Sequence, residues 1–235
     1  MVNSDRAAQV AAQFRQRTAG LPLAQLSEAC VEALHVSGAG LTLMTRRNSL
    51  LVSSSDGRSG ALDELQFSLG EGPSPDAFAH QAPVVEPDLE HGAGDRWPTF
   101  TPPALETGTR GVFALPLNAG TRVIGVLTLY RDTAGALTGR QADDSLIVAD
   151  VVAQTMLSRQ ALSPSGVLAE ELSTDGVHRA EVHQASGMVA VQLGIDVTDA
   201  LARIRAHSYA TDRSVADVAA DIVARRLRLD DGGDS

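Results

Sequence analysis

The C-terminal part of the chain, from Val177 to Leu229, carries apolar residues at helical spacing in three consecutive segments with short connections. Apolar residues that recur every three or four positions share one face of a helix, so each segment has a face to bury. Helices this short do not persist alone in water, so these faces must meet one another or a partner. The pattern predicts three helices, over residues 177–193, 198–210 and 214–229.

The ends of these predicted helices carry recognisable capping residues. Asp196 is followed three positions later by Asp199, and Ser214 by Asp217 in the same way. A Ser or Asp side chain at such a position accepts a hydrogen bond from a free N–H group of the first turn. Gly194 suits the end of the first helix, because glycine adopts a positive φ angle without steric cost. These residues predict where the second and third helices begin.

Upstream of these helices, the pattern changes to short runs rich in Leu, Val and Ile that are bounded by Gly, Asn, Pro and Ser. Such runs are typical of antiparallel strands. They predict strands over residues 41–46, 50–55, 65–70, 112–117 and 122–131, the last two joined by a hairpin turn at Asn118 and Gly120. Helices are predicted over 6–18 and 23–35, and a third begins at the capping box of Thr138 and Gln141.

The C-terminal helices contain four runs in a distinctive order. They are Ala185-Ser186-Gly187-Met188, Asp199-Ala200-Leu201, Ile204-Arg205-Ala206-His207-Ser208 and the run from Asp212 to Ala219. In order and spacing they resemble the ANTAR domain family. The resemblance implies a three-helix domain that binds a pair of adjacent RNA hairpins in a nascent transcript and acts as a transcription antiterminator. The chain departs from the family in having Ser186 where Lys is usual and Leu201 where an aromatic residue is frequent.

This resemblance makes several residues candidates for RNA contact. A guanidinium group is a planar fork that suits phosphates and guanine edges, and imidazole or phenol rings stack on unpaired bases. Packing is the alternative for the rings, and the cluster of Arg225, Arg226 and Arg228 could simply complement the dipole of the third helix. The predicted RNA-binding residues are Ser186, Gly187, Arg203, Arg205, His207, Tyr209 and Arg213.

The upstream region has motifs of its own. They are Leu69-Gly70-Glu71-Gly72-Pro73, Pro83-Val84, Asp88-Leu89, Trp97-Pro98, Ala114-Leu115-Pro116-Leu117 and the run from Ile124 to Tyr130. Over most of residues 20–160 they resemble the GAF domain family, in the subtype that actinobacteria place before ANTAR domains. The resemblance implies a sensor with a six-stranded antiparallel sheet, helices on one side and a small-molecule pocket on the other. Ser74 stands where this subtype often has Cys, so thiol-based sensing at this loop is unsupported.

The resemblance also directs attention to a set of pocket candidates. Glycines let a main chain turn sharply and approach a ligand, and aromatic rings can form a pocket wall. A plain structural turn and core packing are the alternatives. The predicted ligand-binding residues of the sensor are Glu71, Gly72, Phe78, Trp97 and Phe113. Residues 86–96 are rich in charge and glycine, and we expect a mobile loop there near the open face of the sheet.

The predicted elements divide the chain into two domains. A chain of 235 residues with 43% hydrophobic content can bury one sizeable core and a smaller second one. The expected fold is an α+β sensor, with an antiparallel GAF-like sheet flanked by helices, followed by an all-α three-helix ANTAR-like domain. The predicted divisions are an N-terminal helix at 1–20, the sensor at 21–162, a linker at 163–176, the RNA-binding domain at 177–229 and an acidic tail at 230–235.

Charge and composition limit the chemistry. The net charge is −10 and all 19 basic residues are Arg, so a surface that attracts RNA must be local. Cys30 is the only cysteine, which excludes the disulfide-forming cycle of GAF-like methionine sulfoxide reductases. The sequence has no metal-binding spacing, phosphate-binding loop or nucleophile motif, so we expect no enzyme, no metal site and no cofactor.

We therefore expect a cytoplasmic, signal-responsive RNA-binding antiterminator that has no membrane association. The expected partners are RNA hairpins, a small molecule or a regulatory protein at the sensor, and, indirectly, the RNA polymerase complex. The helix from residue 138 to 160 has apolar residues on more than one side, which favours a homodimer. Two alternatives stay open: a DNA-binding helix-turn-helix regulator, and a protein-interaction adaptor that dimerises through its helices.

Overall fold

The computed structural model describes residues 4–45, 49–162, 173–211 and 213–229, with the side chains of residues 160–162 and 173–180 outside that description. The helices are α1 (Ser4–Thr18), α2 (Leu26–Leu34), α3 (Gly57–Leu69), α4 (Pro73–His80), α5 (Leu89–Gly92), α6 (Thr101–Glu106), α7 (Gly139–Leu162), α8 (Ser173–Leu193), α9 (Val197–Ala210) and α10 (Val215–Val223). The strands are β1 (Gly38–Met44), β2 (Ser49–Ser54), β3 (Val84–Glu86), β4 (Gly111–Ala119) and β5 (Arg122–Arg131). Among the described helices, none combines the length and the apolar character needed to span a bilayer.

The strands form an antiparallel sheet of five strands in the order β2-β1-β5-β4-β3. The sheet of six strands that the GAF resemblance implied is therefore corrected to five strands among the described residues. In the centre of the sheet, Leu127 of β5 pairs with Leu41 of β1 on one side and with Leu115 of β4 on the other. The edges are β2 and the short strand β3.

Two hydrophobic cores lie on opposite faces of this sheet. Successive residues of a strand point to opposite faces, so Leu127 and Leu129 enter one core while Val126 and Tyr130 enter the other. The first core is closed by α1, α2 and α7, and the second by α3, α4, α5 and α6. Helices therefore cover both faces, whereas the resemblance implied helices on one side only.

The strand predicted at residues 65–70 is wrong, because this segment ends helix α3. Alternation of apolar and polar residues imitates a strand over these few positions. The side chain of Asp56 starts the helix by accepting a hydrogen bond of 2.7 Å from the N–H group of Ser59, and Gly70 ends it at φ +65°. The buried positions then follow helical spacing, as Ser59, Leu62, Asp63, Gln66 and Phe67.

The predicted hairpin and the capping box of α7 are both present. Gly120, at φ +64°, follows β4 at the turn into β5. The N–H group of Gln141 donates to Oγ1 of Thr138 at 3.2 Å, and the N–H group of Thr138 donates to the Gln141 side chain at 3.1 Å. The segment 86–96 differs from the expected mobile loop: it contains helix α5, and both Leu89 and Ala93 are fully buried.

The helices α8, α9 and α10 form a C-terminal bundle with its own hydrophobic core. Gly194 has φ +67° after α8, as predicted. The Asp196 side chain caps α9 by accepting from the N–H group of Thr198 at 2.8 Å, and the Ser214 hydroxyl caps α10 by accepting from that of Asp217 at 3.0 Å. The predicted beginnings of both helices are therefore confirmed.

The third helix of the bundle is shorter than predicted. It ends at Val223 because the chain turns back there, with Arg225 in the left-handed region at φ +58°. The N–H group of Arg226 donates to the carbonyl oxygen of Asp221 at 2.8 Å, which closes this turn. Leu229 still reaches the core of the bundle, where it is 7% exposed. The arginines at the end of the chain thus follow the helix instead of extending it.

Candidate functional site

Helix α9 presents the predicted RNA-binding residues on two sides. Its inner face is fixed by Ile204, which is fully buried in the bundle core. Residues four apart share a side of a helix, so Arg203 lies with His207, and Arg205 lies with Tyr209. Arg203 is exposed, His207 is half-buried and Tyr209 is 76% exposed. The exposed phenol ring is available for stacking on a base.

Arg213 lies between α9 and α10, where Asp221 joins it to a second arginine. Nη2 of Arg213 is 2.5 Å from one carboxylate oxygen of Asp221, and Nη2 of Arg226 is 2.7 Å from the other. Hydrogen bonds from these two guanidinium groups lower the pKa of the Asp221 carboxyl group. The bridge brings Arg213 close to the arginines that follow α10, which the sequence presented as a separate cluster. Two arginines therefore share one carboxylate at this end of the bundle.

Ser186 and Gly187 are neighbours on α8 with different surroundings. Ser186 is 1% exposed, and its hydroxyl donates to the carbonyl oxygen of Val182 at 2.7 Å, so it packs inside the bundle. A methyl group at Gly187 would meet no heavy atom within 4 Å outside its own helix backbone. The main chain of α8 at Gly187 therefore borders open space.

Arg205 is turned towards the sheet-containing part of the chain. Its Nη2 donates to the carbonyl oxygen of Phe67 in α3 at 2.6 Å, and its guanidinium carbon lies 5.6 Å from the centre of the Phe67 ring. Burial lowers the pKa of Arg205, and its Nε is buried with no hydrogen-bond partner. Phe67 is itself 7% exposed and belongs to the hydrophobic cluster of the C-terminal bundle. These contacts dock α9 onto α3.

A cavity of about 1320 Å³ lies at this junction. Strands β1, β2 and β5 and helices α3 and α4 supply most of its wall, and α9 closes part of it with Thr198, Leu201 and Arg205. Ligand sites for small molecules measure roughly 300–1,000 Å³, so this space is sufficient for one. Of the five predicted ligand-binding residues, Phe78 is among those that line it.

The loop that carries Glu71 and Gly72 is held by hydrogen bonds to the segment before α6 and by close packing on α3. One carboxylate oxygen of Glu71 accepts hydrogen bonds from the N–H groups of Thr99 and Phe100, at 2.7 and 2.9 Å, and the other accepts from the Thr99 hydroxyl at 3.0 Å. Gly72 has φ +133°, and a methyl group there would lie 2.8 Å from the side chain of Gln66. The loop thus holds the start of α6 and packs tightly on α3.

The two remaining candidates are core residues. Trp97 is 1% exposed, and its indole N–H donates to the carboxylate of Asp76 at 3.1 Å, while Arg96 lies over the ring at 4.5 Å. Phe113 is also 1% exposed and belongs to the core on the opposite face of the sheet from Trp97. The five pocket candidates are therefore distributed over a loop, two cores and one cavity wall.

A buried polar network lies beside the cavity. The Tyr130 hydroxyl donates to Oδ1 of Asp63 at 2.5 Å and accepts from the amide of Gln66 at 3.1 Å. The Gln66 side chain accepts from the N–H group of Ser74 at 2.7 Å, and the Ser74 hydroxyl is 2.6 Å from that of Thr128. Burial raises the pKa of Tyr130 well above its usual value, and Asp63 adds to this effect. Three of these residues, Asp63, Gln66 and Ser74, also line the cavity.

Comparison with protein families decides what these two regions are. Residues 22–156 match the model of the GAF domain, which is more than half of the chain. The chain belongs to the GAF family. Residues 170–223 match the model of the ANTAR domain. A GAF domain and an ANTAR domain are both regulatory domains, so the chain is a regulator that carries a sensor domain.

Solved structures resemble the GAF domain in fold. The GAF domain of a phosphoenolpyruvate-protein phosphotransferase from Acinetobacter has a TM-score of 0.50 at 12% identity and covers 70% of this chain and 99% of its own. The corresponding domain from Coxiella burnetii has a TM-score of 0.50 at 16% identity and covers 68% and 98%. The free methionine-R-sulfoxide reductase of Neisseria meningitidis has a TM-score of 0.48 at 20% identity and covers 68% and 96%. No curated protein matches the chain.

Two features bear on the chemistry of the GAF domain: the thiol of Cys30 and the placement of the potential metal ligands among the described residues. Cys30 is fully buried, and burial raises the pKa of its thiol to about 12, so the thiol stays protonated at neutral pH. Within the part of the chain that the structure describes, no group of three His, Cys, Asp or Glu side chains is placed to hold a metal ion.

Sequence reasoning missed three features of these sites. The polar network around Tyr130 joins β5 to α3 and α4, the Asp221 bridge joins two arginine clusters, and the Arg205 contact joins the ANTAR domain to the GAF domain. Each depends on residues that are distant in the chain or on a turn of the backbone. A polar residue among apolar ones, such as Asp63 in α3, is the only local signal that could have suggested the first.

Proposed function

We propose that this protein is a signal-responsive transcription antiterminator whose ANTAR domain, at residues 177–229, binds paired hairpins in nascent transcripts. Its GAF domain, at residues 21–162 and of the actinobacterial type, acts as the sensor and takes a small molecule or a regulatory protein. RNA polymerase is affected indirectly, through the folding of the transcript. The family match to the ANTAR domain supports RNA as the ligand.

One observation carries this proposal most directly. Tyr209 is 76% exposed on the ANTAR domain, and exposed arginines lie on the same small bundle at Arg203 and at the Arg213 bridge. An exposed ring can stack on an unpaired base, and guanidinium groups can bind phosphates. This combination suits a folded RNA with loops better than a regular DNA duplex, because the bases of a duplex are not free to stack on a side chain.

The test is fluorescence anisotropy with a labelled RNA of two hairpins, a single-hairpin RNA and a duplex DNA, over a salt series. Tyr209→Ala should weaken binding to hairpin RNA by about 5–150-fold, since stacking on one base is worth roughly 1–3 kcal/mol. Arg213→Ala should reduce the slope of log K against log salt by about 0.7–0.9 for each phosphate contact that is lost. Arg140→Ala is the matched control, because Arg140 is exposed on the GAF domain and far from the bundle in sequence.

The outcomes separate the three candidate functions. Preference for hairpin RNA, with losses at Tyr209 and Arg213 but not at Arg140, supports the proposal. Tighter binding of duplex DNA supports the helix-turn-helix alternative instead. Absence of binding to any nucleic acid at low salt, for wild type and for every variant, rules out RNA binding and leaves the adaptor alternative.

A homodimer is part of the proposed mechanism, because two linked ANTAR domains can engage two adjacent hairpins and gain affinity through effective concentration. The expected partner surface involves α7, whose Leu146 and Leu157 are 48% and 38% exposed although they are apolar. Light scattering should report a dimer with the two-hairpin RNA. A monomer both with and without this RNA would refute the paired mechanism.

A further inference from the structure

The ANTAR domain is docked onto the GAF domain through the same face of α9 that carries Arg205 and Tyr209. Thr198, Leu201 and Arg205 recur at three and four positions, so they form one stripe, and all three line the cavity at the junction of the two domains. Tyr209 continues this stripe by one more turn and lies outside the docked part, where it is exposed. The stripe is therefore covered at one end and free at the other.

The docked guanidinium group is held by the C-terminal end of α3. The last carbonyl groups of a helix lack partners within the helix and carry partial negative charge, so a cation is favourable there. Arg205 donates to one of these, the carbonyl oxygen of Phe67. Space for the guanidinium group exists because residue 70 is glycine: a methyl group at Gly70 would lie 2.6 Å from Nη1 of Arg205 and 3.0 Å from its Cζ.

This contact is favourable but incomplete. The Nε of Arg205 is buried without a partner, and none of the ion pairs among the described residues includes Arg205. Burying a donor without an acceptor opposes docking, as does the desolvation that lowers the pKa of Arg205. A phosphate would satisfy the guanidinium group more fully than one carbonyl oxygen does. Docking of α9 onto α3 and binding of a phosphate by Arg205 also exclude each other, because both use the guanidinium group of Arg205.

We propose that the described conformation is an autoinhibited one, in which the end of α3 occupies Arg205 and covers its stripe on α9, so that RNA must displace the GAF domain to bind. This inference rests on the proposed RNA binding and specifies how it is regulated. By linkage, whatever loosens the contact between α3 and α9 raises RNA affinity, and RNA loosens the contact in turn. The cavity shared by the two domains is where a sensed molecule would act on this balance.

Gly70→Ala in the full chain tests the contact without changing any residue of the ANTAR domain. The added methyl group displaces the guanidinium group of Arg205. Gly108→Ala is the matched control: Gly108 also has a positive φ, +86°, so alanine is strained there as well, but a methyl group at this position meets nothing within 4 Å. Phe67→Ala is a second test variant, which removes the ring beneath Arg205 while keeping a good helix former in α3.

Two readouts are measured on each variant. The first is anisotropy with the two-hairpin RNA, where Gly70→Ala and Phe67→Ala should bind roughly 5–150-fold more tightly than wild type, the usual range of such coupling. The second is the distance distribution between nitroxide labels on cysteines that replace Glu106 of the GAF domain and Val191 of the ANTAR domain, both exposed. It should be narrow for wild type and Gly108→Ala, and broader or longer for the two test variants. Cys30, fully buried, does not take the label.

The result distinguishes this inference from the function on which it rests. If wild type binds RNA and both test variants bind it no more tightly, with unchanged distances, autoinhibition is overturned while RNA binding stands. If tighter binding appears equally in Gly108→Ala, the gain comes from strain in the GAF domain and the contact is not its cause, which also overturns the inference. If no variant binds RNA, the proposed function itself fails.

Discussion

Glu71→Ala should destabilise the GAF domain strongly, because this side chain holds the start of α6. It accepts three hydrogen bonds, two from main-chain N–H groups and one from the Thr99 hydroxyl, at 2.7 to 3.0 Å. Hydrogen bonds to a charged group contribute about 1.5–3 kcal/mol each, but they are not additive and water can reach the half-buried Thr99. Phe100 is fully buried, so its N–H group would be left without an acceptor. We expect a loss of about 3 kcal/mol in total.

Glu71→Gln separates geometry from charge at the same position. Both main-chain donors bond to a single oxygen of Glu71, Oε1, which the amide of glutamine can reproduce. Neutral hydrogen bonds contribute about 0.5–1.5 kcal/mol, so this variant should lose only about 1 kcal/mol. Glu106→Ala, an exposed glutamate at the end of α6, is the control and should change stability by less than about 0.5 kcal/mol.

Urea unfolding followed by tryptophan fluorescence measures these differences. Trp97 is the only tryptophan, is 1% exposed and lies two residues before Thr99, so its emission reports on the segment that Glu71 holds. For a chain of this size, 3 kcal/mol corresponds to a fall in Tm of about 6–12 °C. The reasoning is refuted if Glu71→Ala and Glu106→Ala unfold at the same urea concentration. It is also refuted if Glu71→Gln is as unstable as Glu71→Ala.

Three further predictions concern buried and open positions. Tyr130→Phe removes the hydroxyl that donates to Asp63 and should lower the free energy of unfolding in urea by about 3 kcal/mol. A variant as stable as the wild type would show that this network does not stabilise the fold. Burial raises the pKa of Cys30 to about 12 in the folded state, against 9.0 without burial, so the unfolded chain loses this proton first as the pH rises. The free energy of unfolding that the protonated thiol contributes is therefore fully present below pH 9 and is lost as the pH rises towards 12. Between pH 8 and 10.5, the free energy of unfolding of the wild type should fall by about 2 kcal/mol more than that of Cys30→Ala. Gly187→Ala should raise stability by about 0.5–1 kcal/mol, because its methyl group meets open space inside a helix, and should weaken binding to hairpin RNA if the main chain contacts RNA there.

Local signals in the sequence were sufficient for most of the elements. The beginnings of α9 and α10 were readable because Asp196 and Ser214 act on N–H groups only two or three residues away. The sequence predicts a strand at the end of α3 because Leu65, Phe67 and Leu69 alternate over five positions, and a pattern that short fits a strand as well as a helix. The helix is instead set by its N-terminal cap at Asp56, which lies nine residues before Leu65. Helix ends are set locally, and strand alternation needs more length than this segment has.

The candidate sites were less accessible to sequence reasoning. Nothing near Glu71 in the chain indicates that its carboxylate turns to Thr99 and Phe100, because loop closure over almost thirty residues sets that contact. The sequence identifies Arg205 as a candidate, but it does not distinguish an arginine that binds the end of a helix from one that binds a phosphate. Which partner it holds depends on how two domains meet, and no local pattern encodes that.

The order of the strands has a consequence for how this protein avoids aggregation. Strand β3 lies at one edge of the sheet, is three residues long and is preceded directly by Pro83 and followed directly by Pro87, which cannot donate a main-chain hydrogen bond to an incoming strand. The opposite edge, β2, has no such prolines within it, and helix α8 lies against it. A conformation that moves the helical bundle away from the sheet therefore leaves the β2 edge with less protection than the β3 edge, whose flanking prolines stay in place.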